Sequence, residues 1–438
     1  MSGLAEILHD AGFRVSGSDW KESDITKSLE AKGITVYYGE SSDHVTDDID
    51  CAVLTAAVRE SNLEFQAIRA KNIPYLSRAE LLGQIMRNYD CPIAVSGTHG
   101  KTTTTSMITD ILMAADTDPT VSVGGILETI GGNIRVGGSE YFVTEACEYT
   151  NSFLSFFPKI SVILNVEEDH LDFFKDLEDI RNSFHTFAGL LPEDGLLIIN
   201  GDIDNCAELT KDLSCKVIRF GSKPDCDYIL GEVSYPVPGR IHAQIQVPDG
   251  TDFTLQLAVP GVHNLYNAMA AVVLSDYLKL PRETALQALR IFTGSKRRFE
   301  LKGHLGAITV IDDYAHHPTE ITATLTAAAN YPHDALWCVF QPHTFTRTKA
   351  FLDEFAKALS LADHVVLAAI YPARETDDLG ISSADLEQKI RELGTDVHYF
   401  PTFDAIENFL LENLIHKDMV ITMGAGDIVK VGEKLLGI

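Results

Sequence analysis

Apolar residues recur along the chain in short runs, separated by longer stretches with the three-to-four spacing of amphipathic helices. That alternation of brief β-rich runs and helical segments predicts parallel α/β sheets. At the start, 2–11 reads as a helix stopped by Gly12, followed by strands at 13–18, 35–38 and 51–56. A second part opens with a strand at 92–96, a glycine-containing turn and a long Thr-rich helix, then strands at 141–144, 160–165 and 195–200. The alternating segments 240–247 and 252–259, joined by Pro248-Asp249-Gly250, read as a β-hairpin. A third part carries strands at 308–311, 336–340, 364–368 and 419–422. Seams fall near 88–91 and 293–298, giving units of 1–88, 89–295 and 296–438. No internal repeat or low-complexity tract interrupts them. A βαβ unit should begin with a strand, yet this sequence begins with the helix that would follow one.

Length agrees with several domains: 438 residues exceed what one ordinary core holds. Charge narrows the functions. There are 35 Lys and Arg against 63 Asp and Glu, a net charge of −28, which repels nucleic acid and anionic lipid. A phosphate-bearing ligand must therefore be drawn in by local cations and backbone amides. The seven cysteines are scattered, with no CxxC pair, as in a protein of a reducing compartment. No apolar run reaches the roughly 20 residues of a membrane span, and no signal peptide is legible at the start. A cytoplasmic protein without membrane insertion is expected.

The chemistry concentrates in loops after predicted strands. Ser96-Gly97-Thr98-His99-Gly100-Lys101-Thr102-Thr103 lies between a strand and a helix, as a phosphate loop must. Gly97 and Gly100 let backbone N–H groups face phosphate oxygens, Lys101 reaches the outer phosphates and Thr102 can hold Mg²⁺. Val95 stands where the strict pattern has its first glycine, so an ordinary Gly-rich turn is the plain alternative. Glu145 and His170 follow apolar strands, where they can hold a divalent ion or simply cap an element. His263 and Asn264 open an Ala-rich helix and offer hydrogen bonds to a base; Asn264 or Asn267 can instead be a helix N-cap. In the third part, Asp312-Asp313-Tyr314-Ala315-His316-His317-Pro318-Thr319-Glu320 and Gln341-Pro342-His343-Thr344-Phe345-Thr346-Arg347 follow neighbouring strands. Together they suit an anion and an amine. Gly424-Ala425-Gly426-Asp427 reads as a tight turn.

Taken in order, GTHGKTTTT, TEACEY, EEDHLD, GVHNLYN, KRRFE, DDYAHHPTE and QPHTFTRT resemble the Mur ligase family over essentially the whole chain. The resemblance implies three domains: a Rossmann-like UDP-binding domain apparently lacking its first strand, a central P-loop ATPase-type domain, and a C-terminal Rossmann-like domain bringing the amino acid. It implies an ATP- and Mg²⁺-dependent amide ligase of peptidoglycan precursor synthesis working through an acyl phosphate. DDYAHHPTE with QPHTFTRT points to the branch that joins L-alanine to UDP-N-acetylmuramate; a tripeptide-recycling member or a non-catalytic nucleotide-binding relative are the alternatives. By resemblance, Gly97 through Thr103 with His263, Asn264, Arg298 and Asp313 serve ATP, and Thr102, Glu145 and His170 serve the metal. Lys101, His316 and Arg347 are the expected catalytic residues. Tyr314, His316, His343 and Arg347 would frame the amino acid, with Ser2, Gly3 and Asp19 on the UDP substrate. Many members carry Arg at the position of Thr344, so Arg347 is expected to do more here. Of the glycine-rich pyrophosphate turn with which members begin, only Met1-Ser2-Gly3 is present, so weak binding of the UDP substrate is expected.

Overall fold

The computed structural model describes residues 1–438 apart from 56, 248, 374 and 416. Its centre is a ten-stranded sheet ordered Phe253–Leu257, Ile241–Gln246, Tyr228–Ser234, Lys216–Gly221, Leu196–Asn200, Ile160–Ile163, Cys91–Ser96, Tyr141–Glu145, Thr120–Leu127, Gly132–Arg135. The middle of this sheet is parallel, and both outer margins turn antiparallel. The parallel strands are apolar at successive positions because helices or loops cover both faces. Ile93, Val95, Val162 and Ile198 point into one core, while Ala94, Ile163, Leu197 and Ile199 point into the other. The expected hairpin is present as the pair Ile241–Gln246 and Phe253–Leu257, with Pro248 of its turn outside the described residues.

The helix Lys101–Ala114 begins with consecutive threonines, poor helix formers in isolation. Burial holds them: Thr102 to Thr105 are all buried, and Thr109 Oγ1 donates to the Thr105 carbonyl at 2.7 Å. Beside it packs the Ala-rich helix Val262–Tyr277, whose small side chains allow close approach.

The last part is a six-stranded sheet ordered Glu300–Leu305, Ile308–Asp313, Met419–Met423, Leu336–Phe340, His364–Leu367, Asp396–Tyr399, with only the first strand antiparallel. Apolar cores lie on both of its faces. The four predicted strands occupy its centre; the two at its margins, polar and partly exposed, were not legible as strands.

In the first part, Ser16–Asp19 pairs in parallel with Thr35–Tyr38, and Ala52–Leu54 with Tyr75–Ser77. The first strand starts three residues later than the sequence suggests, and the third is shorter, with residue 56 of its expected span outside the described residues. Among the described residues the two pairs are separate two-stranded sheets. Leu4, Ile7, Leu81, Leu82 and Ile85 from this part enter the core on one face of the ten-stranded sheet. Gly3 is part of that docking, since a side chain there would strike Ile134.

Candidate active site

Loops after the parallel strands of the central and last units meet face to face. From the central unit, the turn 97–100 runs into the helix Lys101–Ala114. Gly100 takes φ +84°, and a Cβ there would lie 2.5 Å from Asn267 Oδ1, so only glycine fits. The turn is strapped to the neighbouring strand end. His99 N–H donates to Asn165 Oδ1 at 2.7 Å, Asn165 Nδ2 donates to the His99 carbonyl at 3.1 Å, and Glu167 N–H donates to Thr98 Oγ1 at 2.9 Å.

Lys101 is bound on the inside of this turn. Its amine donates to the carbonyls of Gly97 and Thr98, and pairs with Glu148 at 2.9 Å. Burial opposes the charge, but the Glu148 carboxylate outweighs it and holds the Lys101 amine above its ordinary range. Glu148, only 2% exposed, was not among the residues singled out from sequence. His170 Nε2 lies 3.9 Å from Glu148, and His170 itself takes a left-handed φ of 53°, a strained conformation of the kind found at functional loops.

Glu145 sits at the end of the strand Tyr141–Glu145, where Oε1 accepts the Gly124 N–H at 2.5 Å. Adjacent Gly125 lies against Thr102, whose Cγ2 would be 3.1 Å from a Cβ at that position. The Thr102 hydroxyl at the helix start and the Glu145 carboxylate at the strand end are oxygen donors of the kind a hard divalent cation such as Mg²⁺ takes, with the His170 imidazole on the neighbouring loop.

A cavity of about 400 Å³ opens between the two units. His99, Gly100 and Thr103 form one end, His263, Asn264 and Asn267 one wall, and Arg298, Asp313 and Glu320 the other. Asn264 is not an N-cap; Gly261 holds that position, and Asn264 Nδ2 donates to the Pro260 carbonyl while its Oδ1 accepts from Asn267. His263 lines the cavity with part of its surface open to solvent, and desolvation on the protein side pushes its imidazole down to about 4. Asp313 accepts the N–H groups of Phe299 and Ala315, at 2.8 and 2.7 Å, so its carboxylate ties the seam to the strand end; burial, opposed by Arg298, raises it to about 6. The Arg298 guanidinium lies 5.2 Å from the Tyr314 ring centre.

Beyond the cavity, the loops of the last unit reach the phosphate turn. Arg347, on the short helix Phe345–Ala350, donates to Asp169 at 2.7 Å across the two units; both side chains are about nine-tenths buried. Asp169, despite its burial, is held well below the usual carboxylate range by this guanidinium. His343 Nδ1 receives Arg347 Nη1 at 3.4 Å, and its ring lies 5.7 Å from that of His316. His316 Nδ1 is 3.0 Å from the Tyr314 carbonyl, an acceptor only, so Nδ1 carries the proton and Nε2 the free lone pair. Burial pushes both imidazoles down to about 4. His99 behaves oppositely. Burial disfavours its charge, yet Glu320 Oε1 at 3.1 Å and Glu167 push it up to about 9. Glu320, although buried, is held well below the usual range by His316 and His99.

Of the residues expected on the UDP substrate, Asp19 is exposed at the end of its strand, and Ser2 and Gly3 belong to the helix Ser2–Asp10. None of the three lines the cavity described above. Sequence reasoning missed Glu148, Asn165, Glu167 and Asp169; Glu148 stood inside TEACEY and Glu167 and Asp169 inside EEDHLD, but nothing local marked their partners.

Parallel-strand loops carrying a phosphate turn, facing a second set rich in histidine and arginine, define a nucleotide-dependent ligase, and the chain belongs to the Mur ligase family. Residues 1–90 match the Mur ligase family catalytic domain, 95–275 the Mur ligase middle domain, and 297–426 the Mur ligase glutamate ligase domain. The chain is 57% identical over 436 residues to UDP-N-acetylmuramate–L-alanine ligase of Agathobacter rectalis, covering all of this chain and 95% of that protein. It is 50% identical to the protein of the same name from Clostridium novyi, covering 94% of it. Among solved structures it resembles UDP-N-acetylmuramate-alanine ligase of Thermotoga maritima, at 28% identity and TM-score 0.84, over all of this chain and 95% of that one. It also resembles a murein peptide ligase of Psychrobacter arcticus, at 25% identity and TM-score 0.72, with the same coverage.

Proposed function

We propose that this protein joins L-alanine to UDP-N-acetylmuramate at the expense of ATP, a cytoplasmic step of peptidoglycan precursor synthesis. Full-length identity of 57% to a ligase of that name supports the substrates. The observation that carries the reading is the closed cleft, in which Lys101 pairs with Glu148 on the central unit while Arg347 of the last unit reaches across to Asp169 of the central one. The units are taken as 1–88, 89–295 and 296–438.

A carboxylate cannot be acylated onto an amine directly, because oxide would have to leave. Transfer of the γ-phosphoryl to the lactyl carboxylate gives ADP and an acyl phosphate; attack by the amine then expels phosphate and loses one proton. Bringing two anions together is the difficulty. Two unit charges about 4 Å apart repel by ~4 kcal/mol at an effective dielectric near 20, about three powers of ten in rate. Lys101 and the N–H groups of Gly97 to Thr103 offset that repulsion. When bound, Mg²⁺ supplies further charge neutralisation, held by Thr102, Glu145 and His170.

In the second step Arg347 orients the amino-acid carboxylate with the N–H groups that Asp169 and His343 leave unused, and Tyr314 and His343 wall the site. A neutral His316 with its lone pair on Nε2 is too weak a base to strip a free ammonium. It suits the later proton, which becomes acidic once the nitrogen has attacked the carbonyl. His263, Asn264, Arg298 and Asp313 hold the nucleoside end in the cavity. ATP-dependent phosphate release with UDP-N-acetylmuramate tests the reading: release that requires L-alanine and ignores the murein tripeptide is expected. Release with the tripeptide instead, or nucleotide binding with no turnover, rejects it.

A further inference from the structure

A second cluster of metal-binding groups lies on the seam, apart from Thr102, Glu145 and His170. Among the described residues, His99, Glu167 and His317 each place one ligand atom so that all three atoms fall within 4.8 Å of one another. They come from three places: the phosphate turn, the loop after the strand Ile160–Ile163, and the cap of the helix Pro318–Ala328 in the last unit. We propose that these three side chains form a divalent-cation site of the zinc and cobalt class that pins the phosphate turn to the last unit.

Two observations beyond proximity point to a ligand. The Nε2 atoms of His99 and His317 are both buried without a hydrogen-bond partner. His317 is only 5% exposed, and its other nitrogen receives just one long contact, from Thr319 N–H at 3.4 Å. An unpaired buried imidazole nitrogen costs free energy that a cation between the two rings would recover. The spacing is suitable as well. His99 Nε2 and Glu167 Oε2 are 3.6 Å apart, too long for a hydrogen bond and close to the edge of about 3.4 Å that metal bonds of roughly 2.0–2.1 Å give in a tetrahedron.

The surroundings are those of an oriented ligand set. Glu320 Oε1, 3.1 Å from His99 Nδ1, accepts that nitrogen's N–H, so a cation that displaces the Nε2 proton meets an oriented imidazole, the carboxylate–histidine arrangement that fixes metal-binding rings. Thr319 Oγ1 donates to Glu167 Oε2 at 2.7 Å and steadies the carboxylate. Two imidazoles and one carboxylate select a borderline cation over Mg²⁺, which prefers an all-oxygen shell.

The test is Co²⁺ titration of the full chain in excess Mg²⁺, followed by visible d–d absorption. One tetrahedral Co²⁺ per chain is expected. His317→Ala and Glu167→Gln should each weaken it at least tenfold, whereas Glu145→Gln and His170→Gln should leave it in place. Loss of the bands in the latter pair with retention in the former assigns the cobalt to the nucleotide site and overturns the proposal. An anomalous difference map from cobalt-soaked crystals of the unmodified protein removes any ambiguity from misfolded variants. A peak between His99, Glu167 and His317 supports the site; no peak there, or a water only, refutes it.

Discussion

Replacing Glu148 with glutamine isolates the buried ion pair behind the phosphate turn. The amide keeps the shape of the side chain and loses its charge. Glu148 holds Lys101 Nζ at 2.9 and 3.2 Å, with both side chains largely out of solvent. At about 3 Å and an effective dielectric near 20, that attraction is about 5 kcal/mol. Stripping one partner from a buried pair typically costs about 3–5 kcal/mol. Lys101 keeps the carbonyls of Gly97 and Thr98, so the lower end, about 3 kcal/mol, applies. For a unit of about 200 residues this lowers the melting temperature by about 6–12 °C. Because the Lys101 amine titrates above its ordinary range, the pair's contribution is complete below that range, and the deficit should be equal at pH 6 and pH 8. A second measurement has the opposite sign. Glu148 competes with phosphate for the lysine, so Glu148→Gln should bind Mg²⁺-free ADP about tenfold more tightly, or ~1.4 kcal/mol. Calorimetry with ADP in chelator and a thermal melt decide the matter. An unchanged melt, or weaker ADP binding, refutes the argument.

Other consequences can be measured independently. Gly124→Ala would place a Cβ 2.8 Å from both Glu145 oxygens, so the carboxylate must turn away, and the Mg²⁺ concentration for half-maximal turnover should rise about tenfold with little change in folding. His316→Gln should lower kcat by about 10²-fold or more while leaving the KM for ATP nearly unchanged; a near-normal kcat with the parental pH profile removes His316 from proton transfer. Four imidazoles, of His263, His316, His317 and His343, are pushed by burial to about 4, so the unfolded chain takes up their protons first as pH falls below 6.5. Asp313, raised to about 6, and Asp110 and Asp312, raised by burial, oppose them, while Asp169 and Glu320, held low, add to the loss as the pH approaches the ordinary carboxylate range. Melting temperature should therefore fall steadily from pH 6.5 towards 4.5, and a flat profile contradicts the burial of these rings.

What the sequence disclosed follows from how local each signal is. The turn 97–100 carries its glycines, lysine and flanking strand and helix within a single stretch, so both structure and chemistry could be read there. The central parallel strands were legible because burial on two faces makes them continuously apolar. Marginal strands such as Glu300–Leu305 and Asp396–Tyr399 were not, since one face meets water and their polar residues resemble loops. Partnerships were the least visible. Asp169 meets Arg347 from 178 residues away, and His99 meets Glu320 from 221. Each of these residues alone is an unremarkable charge, and only the packing of two sheets assigns its counterpart. The two departures noted in sequence acquire different meanings: Thr344, with φ +66°, caps the helix that carries Arg347, whereas Gly3 packs against Ile134.

Two contacts at the seam govern how the molecule could open. Ser295 is buried and its hydroxyl lies 2.9 Å from Ser106 Oγ, while Lys296 N–H reaches the Ile126 carbonyl at 3.3 Å. The first anchor fastens the connecting segment to the helix that begins at Lys101, and the second to the strand Thr120–Leu127. The fulcrum is thus placed beside the triphosphate end, and His316 and Arg347 sit further out along the swinging arm. On the proposed assignment of sites, rotation about this fulcrum would displace the amino-acid groups more than the nucleotide groups, so the acceptor would exchange while the nucleotide stays held.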